Sequence, residues 1–309
     1  MNVVDIADLD CIYLSYDEPQ KEEFWVKIQN MIPWARRVDG VKGSDAAHKA
    51  AAKESDTERF ILIDGDNLPD FDFFNLVLDF TNKDESYQHA QYRWKARNII
   101  NGLQYGNGGI SSWTKTYVEN MRTHEASDGN TTTTVDFCLD YLNGAYWSMH
   151  DCYSTTYPNF TSFQAWRAGF REGVKMCLVS GQKPDIDSFK KSVATRNLNN
   201  LTIWHNVGMD VENGEWAIYG ARLGTYLTML TDWDYNKVQD FDELVKLWDT
   251  FEHNEPKQLS DLLSDKLGLP MCMLSAEQSK FFKRHYSTDK HNLGPLVKEM
   301  DVIRKLEGW

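Results

Sequence analysis

The order of apolar runs predicts a wound α/β fold, a sheet flanked by helices and followed by a helical C-terminal extension. Three observations lead there. Strand-like runs at 10–16, 36–41 and 59–63 alternate with helical patterns. The third run ends directly in an acidic triplet, and the longer apolar periods after residue 160 are mostly helical.

Asp-Cys-Ile-Tyr-Leu-Ser-Tyr at 10–16 is a short apolar run that opens into Asp17-Glu18-Pro19, as a buried strand does at its carboxyl end. Phe24, Ile28, Met31 and Ile32 then recur at helical spacing until Pro33 stops the helix. A second strand spans 36–41. Ser44 or Asp45 caps an alanine-rich helix to residue 53, and Phe60-Ile61-Leu62-Ile63 forms the heart of a third strand. Residues 98–110 are too glycine-rich for a helix and suit close backbone approach to a ligand, while 125–134 reads as a polar loop. Helices are predicted over 163–178, 237–251 and 259–267. Strands are predicted at 201–207 and 215–219, flanking a turn at Glu212-Asn213-Gly214.

The composition, 41% hydrophobic and 26% charged, is that of a folded chain, and 309 residues can bury a sizeable core. We expect one domain over 1–225 and a helical extension over 226–309. A net charge of -13 excludes a general nucleic-acid coat protein, since counterion release rewards basic residues facing phosphate. It leaves room for local basic clusters such as Arg93, Lys95 and Arg97. Five scattered cysteines with no CxxC pair suggest neither a zinc site nor a disulfide framework. With no basic-then-apolar leader and no run long enough for a membrane span, the expectation is a cytoplasmic protein without a membrane partner. The oligomeric state is open.

Ligands of wound sheets bind outside the carboxyl ends of the strands, where Asp64-Gly65-Asp66 stands, and Asp17 and Glu18 open onto the same edge. Asp-X-Asp on a tight turn suits a divalent cation, Mn²⁺ or Mg²⁺, set against a diphosphate leaving group. One carboxylate addresses ribose or a metal-bound water, the other ligates the metal, and Gly65 leaves room for phosphate. A calcium-binding EF-hand is excluded because Pro69 and Asn75 occupy the positions that need Gly and Glu. A phosphatase with an aspartyl nucleophile is the main enzymatic rival, but that motif usually follows the first strand of its domain.

Five segments carry a resemblance: Leu14 to Glu18, Asp39 to Lys49, Phe60 to Asn67, Asn101 to Ile110 and Phe163 to Lys175. Over roughly residues 10–225 the chain resembles the GT-A-like glycosyltransferases that modify DNA bases, those similar to the base J glucosyltransferase and its phage relatives acting on 5-hydroxymethyl-pyrimidines. The resemblance implies a GT-A-like (Rossmann-like) mixed sheet and transfer of a sugar from a UDP-sugar to a modified pyrimidine, such as 5-hydroxymethylcytosine, in DNA. It implies that Ser15, Tyr16, Asp17 and Glu18 border the nucleotide and that Lys42, Gly43 and Lys49 help hold it. Asp64 and Asp66 would serve ribose and metal, with Gly65, Gly108 and Gly109 close to the donor. His205, after a predicted strand, is the candidate third metal ligand.

An inverting reaction needs a carboxylate base, for which Asp136 and Glu172 are candidates; a retaining one needs neither. A base inside a duplex must be flipped out to reach a crevice, which calls for aromatic platforms and phosphate-binding cations. Arg93, Trp94, Arg97 and Tyr105 offer that mixture, as do Trp166, Arg167 and Arg171. The same residues are compatible with a transferase for a protein, glycan or small-molecule acceptor, and with a non-catalytic nucleotide-sugar or DNA-binding module.

Overall fold

A computed structural model describes residues 2–121, 146–250 and 256–285. The chain divides into two units: Met1–Asn98 with Gln104–Tyr157, and Ile99–Leu103 with Pro158–Trp309. The boundary expected at residue 225 falls inside a helix, and the division comes near Tyr157 instead.

The first unit carries β1 (Val3–Asp5), β2 (Asp10–Ser15), β3 (Arg36–Asp39), β4 (Arg59–Asp64), β5 (Asn67–Pro69), β6 (Val77–Asp79), β7 (Gln91–Asn98), β8 (Gln104–Thr114) and β9 (Tyr146–Thr156). Its helices are α1 (Lys21–Met31), α2 (Ser44–Glu54), α3 (Glu85–His89) and α4 (Lys115–Asn120). Strands β1 and β6 form a small antiparallel pair. The main sheet has the order β3-β2-β4-β8-β7-β9-β5, with β3, β2 and β4 parallel and β8 antiparallel to both β4 and β7. The mixed sheet flanked by helices that the sequence predicts is therefore present.

Its winding follows from the apolar pattern. Strand β4 is buried on both faces, so Phe-Ile-Leu-Ile is continuous rather than alternating. Ile61 and Ile63 join Cys11, Tyr13 and the α1 residues Phe24 and Ile28 on one face. Phe60 and Leu62 join Ile12 and the α2 residues Ala51 and Ala52 on the other, with Trp113, Tyr117 and Val118. The chain passes from β2 to β3 on one side and returns to β4 on the other, so its direction reverses between β2 and β4. That reversal opens a crevice at their carboxyl ends.

The second unit holds α5 (Ser162–Lys175), α6 (Phe189–Ser192), α7 (Thr195–Asn206), α8 (Gly214–Leu230), α9 (Phe241–Thr250), α10 (Pro256–Leu267) and α11 (Ala276–His285). The strands predicted at 201–207 and 215–219 are the end of α7 and the start of α8. Leu201, Ile203, Trp204, Ala217 and Ile218 are apolar because those turns are enclosed, and a short enclosed helical run looks the same as a buried strand. Helices α5 and α8 touch backbone to backbone. A methyl group on Gly169 would overlap the Ala217 carbonyl, one on Gly173 that of Ala221, one on Gly220 that of Trp166 and one on Gly224 that of Phe170. The glycines of the Phe163 to Lys175 segment thus serve helix packing. No helix among the described residues is long and apolar enough to cross a membrane.

Candidate donor-binding site at the carboxyl edge of the first unit

The chain leaves β2 at Ser15 and β4 at Asp64, on either side of the winding reversal. Beyond β4 it turns through Gly65 and Asp66 into β5, which pairs with the end of β9. This pairing fixes Asp66. One carboxylate oxygen accepts from the Thr156 hydroxyl at 3.0 Å and the other from the Asn67 amide at 2.8 Å. Asn67 is held in turn by the Ser154 hydroxyl at 3.1 Å. Its amide fills the space over Gly109, where a Cβ would overlap it, so Gly109 makes room for Asn67 rather than for a ligand.

Glu18 turns back onto the same corner. Its carboxylate accepts from the Tyr16 amide at 2.7 Å and lies 2.5 Å from where a Cβ of Gly65 would stand. Any side chain at 65 would displace it. The Tyr13 hydroxyl fixes the turn from below by donating to the Gly65 carbonyl at 2.7 Å. Glu18, Asp64 and Asp66 are thereby gathered in one corner, where the charge of Asp66 raises the proton affinity of the other two. Burial first, then the charges of Asp66 and Asp17, push the Glu18 carboxyl above its ordinary value, with backbone hydrogen bonds opposing. Burial pushes Asp64 up to about 8, with Asp66 and Glu18 adding to the rise and the charge of Arg93 opposing it.

Three like charges in a partly enclosed corner have two ways to settle, a proton or a cation. Among the described residues no group of three His, Cys, Asp or Glu side chains is arranged as a metal cage. A Mg²⁺ or Mn²⁺ ion carried on a diphosphate does not require one, because one or two carboxylates, phosphate oxygens and waters complete its shell. Asp64 and Asp66 fit that donor set.

The neighbouring strand ends supply a polar rim. The Ser15 hydroxyl donates to Asp39 at 2.7 Å and accepts from Arg37 Nε at 3.0 Å, and Lys21 donates to both Asp39 oxygens. Burial works to raise the Asp39 carboxyl, but the hydrogen bonds from Lys21 and Ser15 and the charge of Arg37 hold it below the usual range. Asp39 ends the observed strand β3 but lies inside the strand predicted at 36–41, so the rule that located Asp64 passes over it. Thr156 and Ser154 escape it too, because their strand gave no readable signal.

The other predicted residues separate. Tyr16, Asp17 and Lys42 are exposed, and Gly43 takes a φ of 94° as the residue before α2, a conformation that favours glycine. Lys49 forms an ion pair with Asp45 at 2.6 Å on the surface of α2. Gly108 lies in β8, Tyr105 is half-buried on the same strand, and exposed Arg97 stands opposite Gln104. Trp94 does not offer a stacking platform: it is 2% exposed and meets Phe73 edge-on at 4.8 Å.

In the second unit, Trp166 is likewise buried, stacked on Phe170 at 4.9 Å. Arg167 and Arg171 lie over the Phe241 ring at 4.9 and 5.1 Å. Glu172 sits 3.7 Å from Lys175 on α5. His205 is at the end of a helix, not after a strand. Its ring is fully buried with Nε2 2.9 Å from the Thr225 hydroxyl, and burial pushes its pKa down to about 3. That enclosure removes the ground on which it was a metal ligand. Asp136 lies outside the described residues.

No protein-family model matches the chain, and no curated protein matches it. Two solved structures show a partial likeness. The crystal structure of HddC from Yersinia pseudotuberculosis is 16% identical over 48% of this chain and 74% of that one, with a TM-score of 0.28. A glycosyltransferase involved in the glycosylation of the major capsid of PBCV-1 is 16% identical over 36% of this chain and 62% of that one, with a TM-score of 0.23. At such low scores the two likenesses stand as observations, and function is read from the residues.

Proposed function

We propose that the protein is a metal-dependent, GT-A-like glycosyltransferase that moves a sugar from a UDP-sugar to the hydroxymethyl group of a modified pyrimidine in DNA. The observation that carries the transferase reading is the convergence of Glu18, Asp64 and Asp66 at the winding reversal of the sheet. The DNA acceptor rests on the sequence resemblance. A divalent cation held by Asp64 and Asp66 would neutralise the charge that grows on the leaving diphosphate. Thr156 and Asn67 orient Asp66 for that task, Glu18 adds negative charge beside it, and Ser15, Lys21 and Asp39 form the polar rim available to the nucleoside.

The test is to incubate the full chain with Mn²⁺, a panel of nucleotide sugars and hydroxymethylcytosine-containing DNA, digest the DNA and weigh the nucleosides. A gain of one hexose or pentose is expected with one donor. Unchanged masses with every donor would overturn the DNA reading. Absence of free UDP in the same mixtures would also overturn the transferase reading, because transferases hydrolyse donor slowly even without an acceptor.

A further inference from the structure

Arg93 was grouped by sequence with the acceptor residues, but the strand register gives it a different neighbour. Ser111 of β8 pairs with Leu62 of β4 on one side and with Arg93 of β7 on the other, so the three form one row across the sheet. Residues paired in a row direct their side chains to the same face. Asp64 follows Leu62 by two positions and shares that face. Strands β4 and β7 are both antiparallel to β8 and hence run the same way, so the row with Arg93 lies just inside the edge that carries Asp64.

Two strand spacings, roughly 10 Å, separate β4 from β7. The strand between them has Gly109 next after the Ile63 and Ile110 pair, and the Asn67 amide occupies the space over it on that face. Half-buried Arg93 is thus a cation on the same face as Asp64, two strands away and one row inside the edge. Of the charges that act on Asp64, those of Asp66 and Glu18 are negative and that of Arg93 is positive. The corner thus presents carboxylates for a metal on one side and a guanidinium on the other, and a diphosphate has affinity for both.

We infer that Arg93 is a donor-side residue whose guanidinium binds the diphosphate of the nucleotide sugar, opposite the metal carboxylates. The inference rests on the glycosyl-transfer reading. When the bond from the sugar to the phosphate oxygen breaks, its electron pair stays on that oxygen, and a guanidinium beside the diphosphate stabilises the added charge.

Titration calorimetry of the full chain with Mn²⁺ tests it, using UDP, uridine and inorganic pyrophosphate as probes. Arg93→Gln should weaken UDP and pyrophosphate at least ~10-fold and leave uridine unchanged, since a charge-assisted pair is lost and the nucleoside is not touched. Arg93→Lys should fall between, because it keeps the charge and loses the two-pronged geometry. Arg93→Met keeps the aliphatic stem and replaces the Gln variant if that one fails to fold. Unaltered UDP and pyrophosphate affinity, an equal loss for uridine, or no pyrophosphate binding by the wild type would overturn the inference. Arg93-dependent pyrophosphate binding without turnover of any nucleotide sugar would sustain the anion site and sink the transferase. Turnover with unchanged UDP affinity in the variants would do the reverse.

Discussion

In the second unit several buried polar side chains are met by partners from the same unit, although His205 Nδ1 and Asn159 Oδ1 make no hydrogen bond among the described residues. His205 faces the Thr225 hydroxyl, and Arg222 donates to the His205 carbonyl and to Ser260. Asn206 is held by Thr202, Pro270, Cys272 and Met273, and Lys283 pairs with Asp210 at 2.7 Å. At the edge of the first unit the hydrogen-bonded groups are acids gathered in one corner. Glu18, Asp64 and Asp66 stand together, Asp66 raises the proton affinity of the other two, and Arg93 is the cation acting on Asp64. Polarity that closes on itself is part of folding, because it returns the cost of leaving water. Polarity that gathers acidic groups in one corner is what a cation or a ligand completes. The difference separates a structural interior from a site without reference to any relative.

The largest effect is expected where the acidic corner is broken. Asp66→Ala should lower metal-dependent donor turnover at least ~1,000-fold, about 4 kcal/mol of transition-state stabilisation, while leaving the melting temperature nearly unchanged. Turnover and Mn²⁺ titration together check it, and a variant that still binds donor and metal normally would remove Asp66 from the site. Next comes the closed interior. Gly220→Val places a branched side chain on the Trp166 carbonyl and should destabilise the second unit by about 2–3 kcal/mol in urea unfolding. A shift under ~0.5 kcal/mol would mean that α5 and α8 do not approach as closely as their glycines require.

The third effect is a pH dependence, and it belongs to the closed interior. His205 titrates near 6.5 when unfolded and near 3 when folded, because burial disfavours its charged form. Between those values the unfolded state binds the extra proton. Stability is therefore full above about pH 6.5 and falls as pH drops toward 3, by roughly 2 kcal/mol at pH 5. Urea unfolding of the wild type and of His205→Gln from pH 7 to pH 5 should show a shallower fall in the variant. Parallel curves would show that the imidazole is hydrated or already charged in the folded state.

Much of the first unit was legible because its signals are local. The run from β2 through β4 alternates apolar strands with amphipathic helices, and the strand-end rule then located Asp64 and Asp66. The rest of the site depends on long-range pairing. Thr156, which orients Asp66, lies ninety residues later in the chain, on a strand that the sequence reading did not find. Arg93 groups with the acceptor residues by its mixture with Trp94, Arg97 and Tyr105, and only the register with Ser111 relates it to the strand that carries Asp64. The second unit was harder for another reason. Helices enclosed on nearly all sides, such as α7 and α8, lose the polar face that makes a helical period visible.

The smallest expected effects concern two charged residues that sequence reasoning placed in the chemistry. Lys49 is paired with Asp45 one turn away, and Glu172 lies near Lys175 on its own helix. Helical pairs of this kind contribute about 0.3–0.5 kcal/mol each. Lys49→Ala and Glu172→Gln should accordingly change stability by no more than ~0.5 kcal/mol and donor turnover by less than ~2-fold. The Glu172 result discriminates further, because a general base typically contributes 10²- to 10⁴-fold. A loss of that size in Glu172→Gln, with stability intact, would bring α5 into the reaction and break the separation between an acidic corner in one unit and a closed interior in the other.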